Sequence, residues 1–120
     1  MPEKSILKDK SFNFAIRVIN LYKYLTEVKK EFVMSKQLLR SGTAIGALIR
    51  EAQNGESKMD FVHKLAIAQK ECDESLYWLE LLHQTQFLSE SEFQSIHSEA
   101  ENILRMIKSS IITVKQNLKK

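Results

Sequence analysis

Apolar residues recur along the chain at alternating steps of three and four residues, the spacing of one face of an α-helix. Four such stretches follow one another, with turn or capping signals between them. They predict helices over about residues 11–30, 35–54, 57–86 and 89–118. Three glycines and one proline leave almost no turn chemistry for an all-β fold. The fold class that follows is all-α.

The predicted helix ends rest on local signals. Met34-Ser35 offers an N-cap for the second helix, and Asn54-Gly55 offers a C-terminal stop. The runs Ser57-Lys58-Met59-Asp60 and Ser89-Glu90-Ser91-Glu92 have the form of capping boxes. Because the connections are short, consecutive helices should be antiparallel. The sequence thus predicts an up-down-up-down antiparallel four-helix bundle, a single domain over residues 1–120.

Small and aromatic residues within the helices indicate close packing and assembly. Glycine inside a helix costs about 1 kcal/mol relative to alanine. The pair Gly42 and Gly46 therefore implies that another helix approaches closely. Tyr77 and Trp78 could stack on bases, but aromatics in a helical seam are more often core or subunit contacts. Together with surplus apolar surface, these residues predict a cyclic homo-oligomer.

Charge is distributed unevenly along the chain. The net charge is +3, with an excess of +4 in residues 1–60 and −1 in residues 61–120, which is a weak sign of an anionic partner. In the predicted topology one end of the bundle carries a basic rim, a candidate surface for RNA or DNA backbone. Its residues are Lys8, Lys10, Lys58, Lys115 and Lys119. The alternative is that these lysines only solubilise the protein and complement helix dipoles.

Ionisable residues also lie beside the apolar seams, and a partly buried arginine needs a carboxylate partner. We therefore predict an Arg–Glu network that links helices 1, 2 and 3, or links subunits. The alternative is that these side chains extend into water. The candidate residues are Arg17, Arg40, Glu51, Glu71 and Glu74.

Signals for catalysis are weak. Glu80-x-x-His83 has the form of a di-iron ligand motif, but the motif occurs once and that chemistry uses it twice. Cys72 falls on the apolar seam, where a buried small side chain is expected. We therefore predict no enzyme activity, no cofactor and no metal. The single cysteine, the absence of an apolar leader and the lack of a membrane-length apolar run lead us to expect a cytoplasmic protein without membrane contact.

Several stretches carry a family resemblance. Those that carry it most specifically are Ser35-Lys-Gln-Leu-Leu-Arg-Ser-Gly-Thr-Ala-Ile-Gly-Ala47, Ile49-Arg-Glu-Ala52, Ser57-Lys-Met-Asp-Phe61 and Tyr77-Trp-Leu79. The chain resembles the bacterial 23S ribosomal RNA intervening-sequence proteins over most of its first three helices. It is also distantly similar to the accessory variability protein of diversity-generating retroelements, which binds nucleic acid and a reverse transcriptase. The resemblance implies a small cytoplasmic bundle, a ring-like homopentamer and no established enzymatic activity.

Three functions remain open at this point. The first is a non-enzymatic oligomer that binds nucleic acid or acts as a scaffold. The second is an adaptor that binds a partner protein without nucleic acid. The third, which the ligand spacing favours least, is a metal-dependent bundle enzyme that uses Glu80, His83 or nearby carboxylates.

Overall fold

The structure, a computed structural model, describes the backbone of residues 2–119 and the side chains of residues 6–119. Within that range it contains four helices and no strands: α1 (Pro2–Glu27), α2 (Met34–Gln53), α3 (Lys58–Gln84) and α4 (Glu90–Leu118). The all-α class predicted from the sequence is confirmed. The helices form an elongated body of 52 × 22 × 21 Å.

Each helix packs against two others. α2 contacts α1 and α3, α3 also contacts α4, and α1 and α4 complete the circuit. Among the described residues α1 does not touch α3, and α2 does not touch α4. The two helices of each such pair therefore lie diagonally across the body.

The apolar core runs along the centre of the body and draws on every helix. Burying one large aliphatic or aromatic side chain stabilises a fold by about 1.5–3 kcal/mol. The largest fully buried side chains are Phe14, Val18, Leu25, Leu38, Ile45, Ile49, Leu65, Leu79, Leu82, Ile96, Ile103 and Ile107.

The prediction for the first helix was wrong at both ends. α1 begins at Pro2 rather than near residue 11, because buried Leu7 extends the apolar seam toward the N-terminus. Proline is tolerated at the first helical position, where its missing N–H would have no partner. Ser11 is buried inside the helix, and its hydroxyl donates to the Lys8 carbonyl at 3.0 Å. At the other end, Lys30 takes a left-handed φ of 57°, so the helix cannot continue through it.

The turn between α1 and α2 has a different cap from the predicted one. Ser35 lies inside α2, and the N-cap residue Val33 makes no side-chain cap. Instead, the buried Glu31 carboxylate accepts hydrogen bonds from the backbone N–H groups of Val33, Met34 and Ser35 at 3.1, 2.9 and 2.7 Å. An acidic side chain satisfies the first N–H groups of a helix as well as a serine does, and it also favours the helix dipole.

The starts of α3 and α4 follow the predicted capping signals. The Ser57 hydroxyl accepts from the backbone N–H of Asp60 at 3.1 Å, and the Ser89 hydroxyl accepts from that of Glu92 at 3.2 Å. The positions at which α3 and α4 begin are therefore set by a serine and the three residues that follow it.

Candidate functional site

Gly42 and Gly46 lie where α2 meets α1. A Cβ on Gly42 would lie 2.8 Å from Val18 Cγ2, inside van der Waals contact, whereas one on Gly46 would lie 3.4 Å from the Ser11 carbonyl oxygen. The small residues therefore make room for α1 of the same chain. Gly42 is the tighter of the two positions.

Arg40 joins α2 to two carboxylates of α3. Its guanidinium pairs with Glu71 at 3.2 Å and with Glu74. Glu74 also accepts a hydrogen bond from the Trp78 indole at 3.0 Å. The bond from Arg40, followed by that from Trp78, lowers the pKa of the Glu74 carboxyl below its ordinary value. Glu74 therefore stays ionised at neutral pH, and its hydrogen bond orients the Trp78 indole.

The other members of the predicted polar network have separate partners. Arg17 on α1 pairs with Glu99 of α4 at 2.7 Å and donates to Ser95 at 3.0 Å. Glu51 on α2 pairs with Lys64 of α3 at 2.9 Å. The predicted Arg–Glu link between α2 and α3 is therefore present at Arg40, but Arg17 joins α1 to α4 and does not extend that link to α1. A network between subunits stays a prediction. Sequence spacing could not show that Arg17 faces α4, because that depends on which helices are neighbours.

Tyr77 and Trp78 form an aromatic pair on the outer side of α3. Their ring centroids are 5.0 Å apart and the rings meet edge to face. The Tyr77 side chain is 54% exposed and Trp78 is partly buried. Trp78 packs against the edge of the core, whereas Tyr77 projects into solvent.

The Glu80-x-x-His83 pair does not converge on one point. Glu80 is bonded to His97 of α4 at 2.9 Å, while His83 is bonded to Glu90 at 2.9 Å. The Phe93 ring lies against both imidazoles, with centroid distances of 4.1 Å to His83 and 4.7 Å to His97. No group of three or more His, Cys, Asp or Glu residues suited to a metal is found among residues 6–119. The arrangement joins α3 to α4 near their shared turn.

Cys72 is buried in the core, and its thiol donates to the Ala100 carbonyl at 3.3 Å. Burial, assisted by the nearby Asp73 charge, raises the pKa of the Cys72 thiol to about 12. Because the thiolate is the reactive form, this cysteine is a packing residue.

The five candidate lysines are all exposed. Val114, next to Lys115, lines a cleft with Lys58 and Gly55, and Leu7, next to Lys8, lies across a groove from Val114 and Asn117. Lys8, Lys58, Lys115 and Lys119 thus belong to one end of the bundle. Lys10 instead lines a small cleft of about 140 Å³ beside Glu99 in the α1–α4 seam, so the structure does not bring it to the predicted rim.

Two apolar surfaces were missed by the sequence analysis. Phe12, Ile16 and Ile19 lie exposed on α1, away from its core positions. Their spacing of four and three residues is a second seam pattern that the periodicity could have revealed. Val28, Phe32 and Val33 project from the α1–α2 turn. Their exposure depends on how Glu31 folds that turn, which no local pattern shows.

A groove of about 800 Å³ lies between the start of α1 and the second half of α4. Apolar side chains such as Leu7, Met106 and Val114 line it, together with Arg105. Among the residues described, no helix is long and apolar enough to span a bilayer.

Comparison with known proteins places these features in a family. Residues 3–109 match the model of the 23S rRNA-intervening sequence protein family. The chain is 50% identical to a protein of unknown function from the S23 ribosomal protein family of Bacteroides thetaiotaomicron VPI-5482, whose crystal structure superimposes with a TM-score of 0.89. That match covers 91% of this chain and 97% of the other. A search of curated proteins found no match.

Proposed function

The chain belongs to the 23S rRNA-intervening sequence protein family, and from that premise we propose that it is a non-enzymatic, homo-oligomeric scaffold that binds the phosphate backbone of RNA or DNA in the cytoplasm. The family resemblance favours a pentameric ring. The proposal combines that assembly with the lysines exposed at one end of each bundle.

An up-down-up-down arrangement of the helices is part of this proposal. Contacts between α1 and α2 and between α2 and α3 support it. As the residue number rises along one helix, the number of the residue it contacts on the other helix falls, which is the pattern of antiparallel neighbours. Across α2 and α3, Ser41 pairs with Ser75 and Glu51 with Lys64. Across α1 and α2, the backbone of Gly42 approaches Val18 and that of Gly46 approaches Ser11.

The observation that carries the proposal is that the lysines at this end of the bundle have no carboxylate partner among the described residues. Within residues 6–119, none of the four lysines at this end, Lys8, Lys58, Lys115 and Lys119, has a carboxylate within ion-pair distance, whereas Arg17, Arg40 and Lys64 are paired. Unpaired, hydrated ammonium groups are free to contact phosphates.

Helix dipoles explain only some of these cations. Lys115 and Lys119 lie at the C-terminal end of α4, where a positive charge is favourable. Lys58 is the first residue of α3, at the positive end of that dipole, where a cation is unfavourable and an anion is attracted. Glu56 and Asp60 lie nearby in sequence and reduce the local charge. An oligomer that places this end of several copies side by side would present a larger positive surface.

Charge reversal tests the proposal. We expect Lys115→Glu/Lys119→Glu to weaken binding of labelled single-stranded RNA for all sequences alike, and to lower the slope of log K against log salt concentration by about 1 to 2. The matched control is Lys29→Glu/Lys36→Glu, at the opposite end of the bundle. Fluorescence anisotropy at several salt concentrations measures both. Equal losses in the two double variants, or no binding of RNA or DNA by the wild-type protein at low salt, would contradict the proposal.

A second function, an adaptor for a partner protein, is supported by the α1–α2 turn. Val28, Phe32 and Val33 are 64%, 58% and 72% exposed there, and the Glu31 carboxylate holds the backbone N–H groups of Val33 and Met34 in place. A fixed apolar projection is typical of a protein contact. In that case a co-purifying protein would remain bound after nuclease treatment and would be lost in Phe32→Asp.

A further inference from the structure

An apolar stripe on α1 faces away from the subunit's own core. Its members Phe12, Ile16 and Ile19 are 51%, 42% and 38% exposed. We call these three residues the α1 stripe. Large apolar side chains that line up on an outer helix face mark a surface that is covered in an assembly.

The α1 stripe has a basic border. Lys8 and Lys23 lie on the same helix, one turn before Phe12 and one turn after Ile19. Arg50 of α2 places its guanidinium 5.3 Å from the centroid of the Phe12 ring. Asp9 and Glu27 are the acidic residues of α1 next to this border, so its three cations exceed its carboxylates by one.

An aromatic surface on α3 has the opposite charge. We call Tyr77, Trp78 and Leu81 the α3 face; Tyr77 is exposed and the other two are partly buried. Its four carboxylates outnumber the neighbouring cations Lys70 and Arg40. Three of the four also have a partner in their own chain, since Glu71 and Glu74 pair with Arg40 and Glu80 is bonded to His97. The four carboxylates are those of Glu71, Asp73, Glu74 and Glu80.

The two surfaces cannot meet within one molecule. α1 and α3 lie on diagonal corners of the bundle and do not contact each other. The stripe therefore needs a second chain. Two stripes facing each other would bring Lys8, Lys23 and Arg50 of both chains together, and like charges at an interface are strongly disfavoured.

We infer that the α1 stripe of one subunit packs on the α3 face of a second copy of this chain, with the basic border opposite the α3 carboxylates. This inference rests on the proposed homo-oligomer and names its interface. Because two different surfaces meet, the contact is heterologous, and an open row of subunits keeps one free stripe at one end and one free α3 face at the other until the ring closes.

Single substitutions at exposed positions test this interface without disturbing the core. Ile16→Glu places a negative charge on the stripe, and Tyr77→Arg places a positive charge on the α3 face. Ile112→Glu is the matched control, because Ile112 is 56% exposed on α4, outside both surfaces. Circular dichroism and thermal unfolding check that each variant remains folded.

Sedimentation velocity at micromolar concentration should show an oligomer for the wild-type protein and for Ile112→Glu. Ile16→Glu and Tyr77→Arg should each sediment as a single 13.9 kDa chain. Mixed in equal amounts, the two variants should form a heterodimer of twice that mass, because Tyr77→Arg keeps an intact stripe and Ile16→Glu keeps an intact α3 face. Nothing larger should form, because the other two surfaces are altered.

Oligomers that persist in either variant, or variants that stay monomeric when mixed, would overturn the interface. A monomeric wild-type protein would overturn the proposed assembly as well. If instead the oligomer forms and dissociates as described but the wild-type protein binds no nucleic acid, the interface stands and the nucleic-acid function falls.

Discussion

Glu31 shows how one side chain determines a turn. Burial acts to raise the pKa of its carboxyl, but the hydrogen bonds from the backbone of Met34, Ser35 and Val33 together outweigh burial, so the pKa lies below its ordinary value of 4.5. The carboxylate is thus more stable in the folded chain than in the unfolded one. That difference makes Glu31 a source of stability that depends on pH.

We expect Glu31→Gln to reduce the free energy of unfolding at pH 7 by about 1–3 kcal/mol, because the amide cannot replace three charge-assisted hydrogen bonds. In the wild-type protein this stability is present above the unfolded carboxyl's pKa, near 4.5, and is lost as pH falls through the lower folded pKa. Denaturant unfolding between pH 7 and pH 3 measures both effects. Glu27→Gln, at an exposed residue, is the control. Equal stability of the two variants at pH 7 would contradict this role.

At the scale of helices, the sequence predicted the features that depend on residues a few positions apart. It did not predict those that depend on contacts between helices. Ser57 and Ser89 cap α3 and α4 as predicted, because a cap needs only the next three residues. The first helix was predicted too short, because its true start depends on Leu7 finding the core. The partner of Arg17 depends on which face of α1 lies against α4, which the order of elements along the chain does not reveal.

The two glycines of α2 should respond differently to alanine. Gly42→Ala should lower the free energy of unfolding by about 1–3 kcal/mol, since its Cβ would press on the stiff, buried Val18. Gly46→Ala makes only an ordinary contact and gains helix propensity, so it should be neutral or stabilising by up to about 1 kcal/mol. Urea unfolding of both proteins tests the contrast. A Gly42→Ala protein as stable as Gly46→Ala would show that α1 gives way easily at this point.

At the scale of the molecule, the sequence predicted the fold class and family but only part of the candidate surfaces. Lys58, Lys115 and Lys119 lie at one end as expected, because short loops fix which helix ends are adjacent. Lys10 was misplaced, because its orientation around α1 directs it to the α1–α4 seam. The α1 stripe was overlooked because the core positions dominate the periodicity of that helix.

The most direct measurement of the central claim is the salt dependence of wild-type binding to a long single-stranded RNA. The four lysines at this end of one chain, Lys8, Lys58, Lys115 and Lys119, would each neutralise one phosphate and give a slope of log K against log salt concentration of about −2.8 at most. An oligomer that presents several chains to one RNA should exceed this magnitude. Binding that is absent at low salt or insensitive to salt, or a slope no steeper than one chain can supply, would contradict a multisubunit phosphate-binding surface.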